Sequence, residues 1–288
     1  MKNKNKGAGV IRCALTLLLP AVCCSASLRA AEVAKTDTSM VVKGVTAHRG
    51  NSIAFVENTL PAYQSAIEAH ADWVELDIHK TKDGQIVVSH DPSTKRTGDK
   101  DLVIAEATYQ ELQQVDIATE FRKSKGLTLQ QCPPQHMPLL AEALALIMKQ
   151  QRTHLSIQPK ADCVADAMAI IRKAAAEKMV GFNDGSLLYM SQVKSLDPGI
   201  PVFWDRLPTT DIDEDIRIAR EKGFESLVIY YKGLTPEKAA KVKAAGLQLG
   251  AWTVDDRKTM ESLLKMGVDR IYTDDPKLLI TVKHELNK

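Results

Sequence analysis

From residue 44 onward the chain alternates short apolar runs with amphipathic stretches, and this rhythm constrains the fold more tightly than any other feature. The runs at 44–47, 73–78, 155–158, 179–182, 201–205, 226–230, 248–254 and 269–273 have strand length. Those at 58–69, 139–150, 163–177, 187–196, 213–222, 236–245 and 257–265 place apolar residues at helical spacing, and Gly223, Gly246 and Gly267 close three of them. Strict alternation of strand and helix predicts an α/β protein with a parallel sheet. Eight such strands predict closure into a (β/α)8 TIM barrel rather than an open doubly wound sheet. The rhythm breaks once. A short extra strand at 85–89 leads into polar sequence over 91–138 with a short helix at 108–115, which reads as a small insertion on the rim after the second barrel strand. Sequence in that place either shapes the substrate site or simply covers the barrel end.

Residues 1–30 stand outside this pattern. Lys2, Lys4, Lys6 and Arg12 precede an apolar run from Cys13 to Cys24, and small residues follow in Ser25-Ala26-Ser27-Leu28-Arg29-Ala30. That order is the order of a secretory signal peptide, and the run falls short of the ~20 apolar residues that span a bilayer. The residues before Cys23 and Cys24 do not form a lipoprotein signal. A secreted or periplasmic protein of residues 31–288 is therefore expected, with no stable membrane span after cleavage. Removing Lys2, Lys4, Lys6, Arg12 and Arg29 from the 38 Lys and Arg leaves 33 against 36 Asp and Glu, so the mature charge is about −3. Such a balance carries no electrostatic footprint for nucleic acid. With no second hydrophobic run and no low-complexity linker, the remainder suits one large domain. Cys132 and Cys163 are its only cysteines, and an oxidising compartment makes them available for one disulfide.

Chemistry-bearing residues collect at the C-terminal ends of the predicted strands, the end of a (β/α)8 barrel that carries function. His48 and Arg49 end the first, Glu75 and Asp77 the second, Gln158 and Lys160 the third and Trp252 the seventh, while His90 follows the extra strand. In Trp73-Val74-Glu75-Leu76-Asp77-Ile78 the two acids share one face and the aliphatic residues the other. Two like charges facing an interior are costly unless something positive lies between them. One divalent cation, Mg²⁺ or Ca²⁺, is the simplest neutraliser, because both take hard oxygen ligands. Interior Lys or Arg is the other solution. On the third strand Leu155 and Ile157 point toward the helices while Ser156, Gln158 and Lys160 point inward, and an interior lysine calls for an anion. Two histidines, an arginine and two carboxylates together suit cleavage of a small phosphodiester.

Ala47-His48-Arg49-Gly50, Glu57-Asn58-Thr59, Glu75-Leu76-Asp77, Thr81-Lys82-Asp83-Gly84, His90-Asp91 and Tyr272-Thr273-Asp274-Asp275-Pro276 together resemble the glycerophosphodiester phosphodiesterase family, in order and over nearly the whole mature chain. The resemblance implies a TIM barrel with an insertion between its second and third strands, and metal-dependent hydrolysis of a glycerophosphodiester to an alcohol and glycerol 3-phosphate. It implies His48 and His90 as the paired acid and base, Arg49 as the phosphate contact, and Glu75 and Asp77 as metal ligands. It further implies Lys160 as an added point charge and Trp252 as a wall of the pocket. One departure bears on the metal. Where the family usually carries an acid two residues before that lysine, this chain has Gln158-Pro159-Lys160. Gln158 would then be the third ligand through its carbonyl oxygen, with one negative charge lost and weaker cation binding expected. His70, where the family tends to place glycine after the first helix, is expected to be structural.

Other readings stay open at this point. Loss of the acid at 158 fits a catalytically weakened phosphodiester- or sugar-phosphate-binding protein, although retention of both histidines and both second-strand acids argues against it. A phospholipase-like barrel acting on envelope lipids needs an apolar loop beside the site, whereas 91–138 is polar. Glu75 and Asp77 lie too close along one strand to be the opposed acid and nucleophile of a glycosidase. Glu57 either favours the dipole of the helix after it or orients Arg49. His79, His136 and His154 have no partner pattern and are expected on the surface or in packing.

Overall fold

The structure, a computed structural model, describes residues 43–286, so the signal peptide expected at 1–30 lies outside the described residues. In chain order the elements are β1 (Gly44–Ala47), α1 (Leu60–Glu68), β2 (Trp73–Lys80), β3 (Ile86–Val88), α2 (Tyr109–Leu112), α3 (Thr119–Lys125), α4 (Leu140–Ile147), β4 (His154–Pro159) and α5 (Val164–Lys173). There follow β5 (Val180–Asp184), α6 (Leu187–Leu196), β6 (Val202–Arg206), α7 (Ile212–Lys222), β7 (Ser226–Tyr230), α8 (Pro236–Ala244), β8 (Gln248–Trp252), α9 (Arg257–Met266), β9 (Arg270–Thr273) and α10 (Pro276–Leu286). All strands but β3 pair in parallel in the order β1, β9, β8, β7, β6, β5, β4, β2, and a β1–β2 pairing closes the ring. The predicted (β/α)8 barrel is thus the fold. β3 lies antiparallel on β2, and it opens the segment inserted between the second and third barrel strands.

Side-chain parity decides what each face of the ring buries. Val74, Leu76 and Ile78 of β2 and Leu155 and Ile157 of β4 join the main core between sheet and helices, while their neighbours turn into the bore. Deep in the bore Trp73, Phe203, Val228 and Tyr272 form a separate cluster. Full burial of each such side chain contributes roughly 1.5–3 kcal/mol. Arg270 crosses this cluster with its guanidinium carbon 3.6 Å from the Phe203 ring centre and 4.3 Å from that of Trp73. Two residues further along β2 and β6, the inward positions become polar at Glu75 and Asp205.

Local chemistry moves several boundaries. The first helix begins at Leu60 rather than 58, because Thr59 caps it by accepting from Ala62 N, and Asn58 has a φ of 57°. The fourth barrel strand, β5, runs to Asp184, two residues beyond the apolar run that announced it, which puts Asn183 and Asp184 in the sheet. The short helix expected at 108–115 is α2, fixed by a reciprocal Thr108–Glu111 capping box. Its neighbour α3 has no clear periodic signal. His70 adopts a φ of 66°, the left-handed turn that explains why glycine is favoured there. Cys132 and Cys163 are both free: Cys163 belongs to the main core, whereas Cys132 packs with Val115 and Phe121 in the insertion. The insertion has two small cores of its own, one around Val87, Ile104 and Leu112 and one around Val56, Val115 and Ile117. It is therefore a packed rim. Among the described residues no helix is long and apolar enough to cross a membrane.

Candidate active site

The turn after β1 brings backbone and side chain together. Arg49 and Gly50 both have positive φ, 56° and 87°, and a Cβ on Gly50 would lie 2.7 Å from Cβ of Ala62. Only glycine fits there. The turn lets Arg49 N donate to Glu75 Oε2 at 2.9 Å, while its Nη1 donates to Glu57 Oε1 at 2.9 Å. Glu57 thus orients Arg49, the second of the two roles open to it. Asp77, fully buried beside Glu75, lies 3.5 Å from Arg49 Nε and 3.2 Å from Lys160 Nζ, and accepts from Asn58 Nδ2 at 2.9 Å. Tyr63 holds Asn58 in turn by donating its hydroxyl to Oδ1 at 3.0 Å.

The two acids consequently sit in different fields. Burial pushes the Glu75 carboxyl up and the Asp77 charge adds to it, with His48 and Arg49 only partly opposing. Burial also acts against the charge of Asp77, but Lys160 and Arg49 overcome it and hold that carboxyl below its usual range. Interior Lys and Arg therefore neutralise part of the charge. They leave a remainder, since Glu75 Oε1 is buried without a hydrogen-bond partner and Asp77 Oδ1 meets only the Lys160 ammonium, 3.2 Å away. Among the described residues no group of three or more His, Cys, Asp or Glu has metal-binding geometry. A cation here must take a neutral oxygen as well, and the β2–β4 register sets Gln158 directly beside Asp77. An orphaned carboxylate oxygen beside a second carboxylate and an amide suits a hard divalent ion.

Each histidine has its own carboxylate. His48 Nδ1 is 2.8 Å from Asp274 Oδ1, and Ser52 Oγ and the Asp255 carboxylate fix Asp274 in place. His90 Nδ1 is 2.6 Å from Asp91 Oδ1. Arg96, from the insertion, donates from Nε to Asp91 at 2.6 Å and from its terminal nitrogens to Glu57 at 2.9 and 2.7 Å, tying the His90 partner to the Arg49 partner. A carboxylate only accepts, so Nδ1 carries a proton in both rings and Nε2 is the working atom. Burial disfavours the imidazolium of His48, yet the Asp274 hydrogen bond and the charge of Glu75 outweigh it, and its pKa is raised above 6.5. Burial prevails at His90 against Asp77 and Asp91, and its pKa is lowered below 6.5. Asp91 itself, despite partial burial, is held down to about 2 by Arg96 and His90.

A cavity of about 500 Å³ opens at this end of the barrel. His48, Arg49, Glu75, His90, Gln158, Lys160 and Trp252 line it, and Asp77 lies beneath them without surface exposure. Every residue singled out in the sequence is brought together here. Trp252 packs edge-on against Tyr230, 5.1 Å between ring centres, and its buried Nε1 has no hydrogen-bond partner. The histidines read as bystanders are so: His79 is buried against the carbonyl of His90, His154 stacks on Trp73 and His136 is exposed. Asp274 and Asn58 stand inside motifs singled out in the sequence, yet nothing local reveals their partners, whereas Asp91 pairs with the histidine beside it. Asp205 and Asn183, also on the cavity wall, escape the sequence reading, although Asp205 carries a signal there. The alternation in Val202-Phe203-Trp204-Asp205 turns Asp205 inward by the same parity as Phe203. Burial pushes its carboxyl up to about 8 although Asn183 donates to it.

Comparison with known proteins places the chain among relatives of one kind. The sequence model described as the Glycerophosphoryl diester phosphodiesterase family matches residues 48–278. A glycerophosphodiester phosphodiesterase of Caldanaerobacter subterraneus subsp. tengcongensis is 31% identical over 245 residues, 83% of this chain and 96% of that protein. The crystal structure of a glycerophosphodiester phosphodiesterase from Parabacteroides distasonis is similar with a TM-score of 0.70 at 24% identity, covering 85% of this chain and 98% of that one. An Oleispira antarctica phosphodiesterase, solved in complex with the product sn-glycerol-3-phosphate, is similar with a TM-score of 0.71 at 23% identity, covering 83% and 96%.

Proposed function

As a member of the glycerophosphoryl diester phosphodiesterase family this chain is a phosphoric diester hydrolase of glycerophosphodiesters, and we propose that it releases glycerol 3-phosphate through His48 and His90, with a divalent cation held at Glu75, Asp77 and Gln158. The observation that carries this reading is the pair of histidines on one cavity wall, each fixed by a carboxylate and shifted in opposite directions. Two titratable groups pushed apart in pKa suit an acid and a base. His90, kept neutral, takes at Nε2 the proton of the attacking oxygen, from water or from a hydroxyl of the glycerol, as that oxygen bonds to phosphorus, and in the second case water then opens the cyclic phosphate. His48, kept protonated, delivers its Nε2 proton to the oxygen of the departing alcohol as the bond from phosphorus to that oxygen breaks. Arg49 and Lys160 meet the charge on the non-bridging oxygens, the guanidinium with its remaining donors. A bound Mg²⁺ or Ca²⁺ would polarise the same phosphoryl group. Trp252 forms a wall of the pocket for the glycerol or phosphate moiety. The basic, apolar and small-residue order of residues 1–30 supports export to the periplasm or beyond.

The test is release of glycerol 3-phosphate from glycerophosphocholine and glycerophosphoethanolamine by the purified protein, with Mg²⁺ or Ca²⁺ and with EDTA. Turnover that EDTA abolishes is expected. Its absence across the panel at saturating cation refutes the hydrolytic reading, and tight binding without turnover would favour a phosphodiester-binding protein. A second reading rests on Leu207, which lines the cavity at 64% exposure. An exposed apolar side chain there favours an alcohol with a hydrocarbon chain, for which a lysophospholipid should outcompete glycerophosphocholine in kcat/KM.

The paired shifts also fix a pH profile. Activity is expected to fall on the acid side as His90 gains a proton, below 6.5, and on the alkaline side as His48 loses one, above 6.5. Asp274→Asn removes the main group that raises His48, so the alkaline limb of kcat/KM should move to lower pH while the acid limb stays. An alkaline limb that does not move would reassign the acid.

A further inference from the structure

The glutamine at 158 is matched by an acid elsewhere in the bore. Gln158 Nε2 donates to Asp205 Oδ2 at 3.2 Å, and the same oxygen accepts from Asn183 Nδ2 at 3.1 Å. Asn183 Oδ1 accepts from Ser156 Oγ at 2.7 Å, so the two side-chain amides and the hydroxyl form one chain across β4, β5 and β6. A carboxyl oxygen that receives two N–H groups leaves neither amide free to turn over. The other oxygen of Asp205, Oδ1, is buried without a hydrogen-bond partner. On its other side Gln158 stands in register with Asp77, which lies beside Glu75, whose Oε1 has no hydrogen-bond partner.

We propose that Asp205 is a positioning residue which, by holding the amide nitrogen of Gln158, commits the carbonyl oxygen of Gln158 to the cation site of Glu75 and Asp77. The inference rests on the functional reading above and deepens it: the ligand oxygen lost as a carboxylate at 158 is supplied as an oriented amide, with the acid moved to the far side of that amide. In Asp205→Leu no acceptor faces the amide nitrogen, Gln158 is free to turn over, and an N–H can replace the oxygen at the cation. Partners of this kind, which orient a ligand without touching the metal, change affinity by roughly 10–100-fold when removed.

The test is titration of the purified protein with Ca²⁺ and Mg²⁺ by calorimetry across a double-mutant cycle. Asp205→Leu, which removes the acceptor, should weaken the cation by about tenfold or more. Gln158→Glu alone should bind no tighter than wild type despite its added charge, because the introduced carboxylate then faces Asp205. In the Gln158→Glu/Asp205→Leu protein the order reverses, since the new carboxylate no longer faces an acid, and binding should equal or exceed wild type. Independent effects of the two substitutions, or unchanged affinity in Asp205→Leu, overturn the proposal. If circular dichroism shows Asp205→Leu unfolded, the Gln158→Glu protein decides, and a gain above tenfold in its cation affinity overturns it. Wild-type protein that binds neither cation refutes the cation site itself, whereas wild-type binding with independent variants refutes the role of Asp205 alone.

Discussion

His48→Gln is expected to lower kcat/KM by roughly 10²–10⁴-fold, the range that a positioned acid or base contributes, and His90→Gln by a similar factor. Each ring delivers or accepts a proton at Nε2 while its Nδ1 is fixed by a carboxylate, Asp274 for His48 and Asp91 for His90. Glutamine keeps a hydrogen-bonding group but cannot carry the proton at neutral pH. The double replacement should cost little more than the larger single one, because acid and base serve one displacement and their losses do not add. Steady-state assay of the three variants on glycerophosphocholine checks this. Substrates with a leaving group that needs no protonation, such as a p-nitrophenyl phosphodiester, should rescue His48→Gln but not His90→Gln. Rescue of neither variant, or of both, would dissolve the assignment of roles.

Glu75→Gln is expected to abolish function while stabilising the cation-free fold. The Glu75 carboxyl is pushed above its ordinary value of 4.5, first by burial and then by the charge of Asp77. The sign follows directly: a carboxylate with a raised folded-state pKa contributes most below its unfolded value, and that contribution is lost as pH rises toward the folded value. Near neutral pH the ionised side chain therefore opposes folding, and a neutral isostere removes the penalty. A gain on the order of 1 kcal/mol corresponds to roughly 2–4 °C in Tm for a domain of this size. Asp77→Asn should do the reverse. Its carboxyl is held below the ordinary range by Lys160 and Arg49 against the effect of burial, so its stabilisation is present above 3.8 and lost only at lower pH. The amide leaves Lys160 without its ion pair and Arg49 with Glu57 alone. Thermal melts in EDTA at neutral pH separate the two signs, and activity should fall by about 10²-fold or more in each variant, the scale of losing one group that stabilises the transition state. Equal destabilisation by both would mean that Glu75 is matched by a cation in the fold after all.

The sequence carries the layout of this molecule far. Periodicity separates strand from helix, parity turns Glu75, Asp77, Gln158 and Lys160 inward, and the ends of β1, β2, β4 and β8 locate the site. It falls short where a boundary depends on polar contacts. Asn183 extends β5 although it looks like a loop residue, because the bore of the barrel at that level is polar and receives it, and Asp184 ends the strand by accepting from Ser186 N. The insertion, predicted only as a rim, contributes Arg96 to the centre of the charge network.

What the sequence by itself determined is the face on which each side chain lies, since helix and strand periods are properties of a few consecutive residues. What only the tertiary structure decided is which charges meet. Asp274 reaches His48 from 226 positions away, and Asp205 reaches Gln158 from 47. Such pairs exist because ring closure and strand register bring the far ends of the chain to one mouth. The balance of desolvation against nearby charge that raises one histidine and lowers the other arises only there.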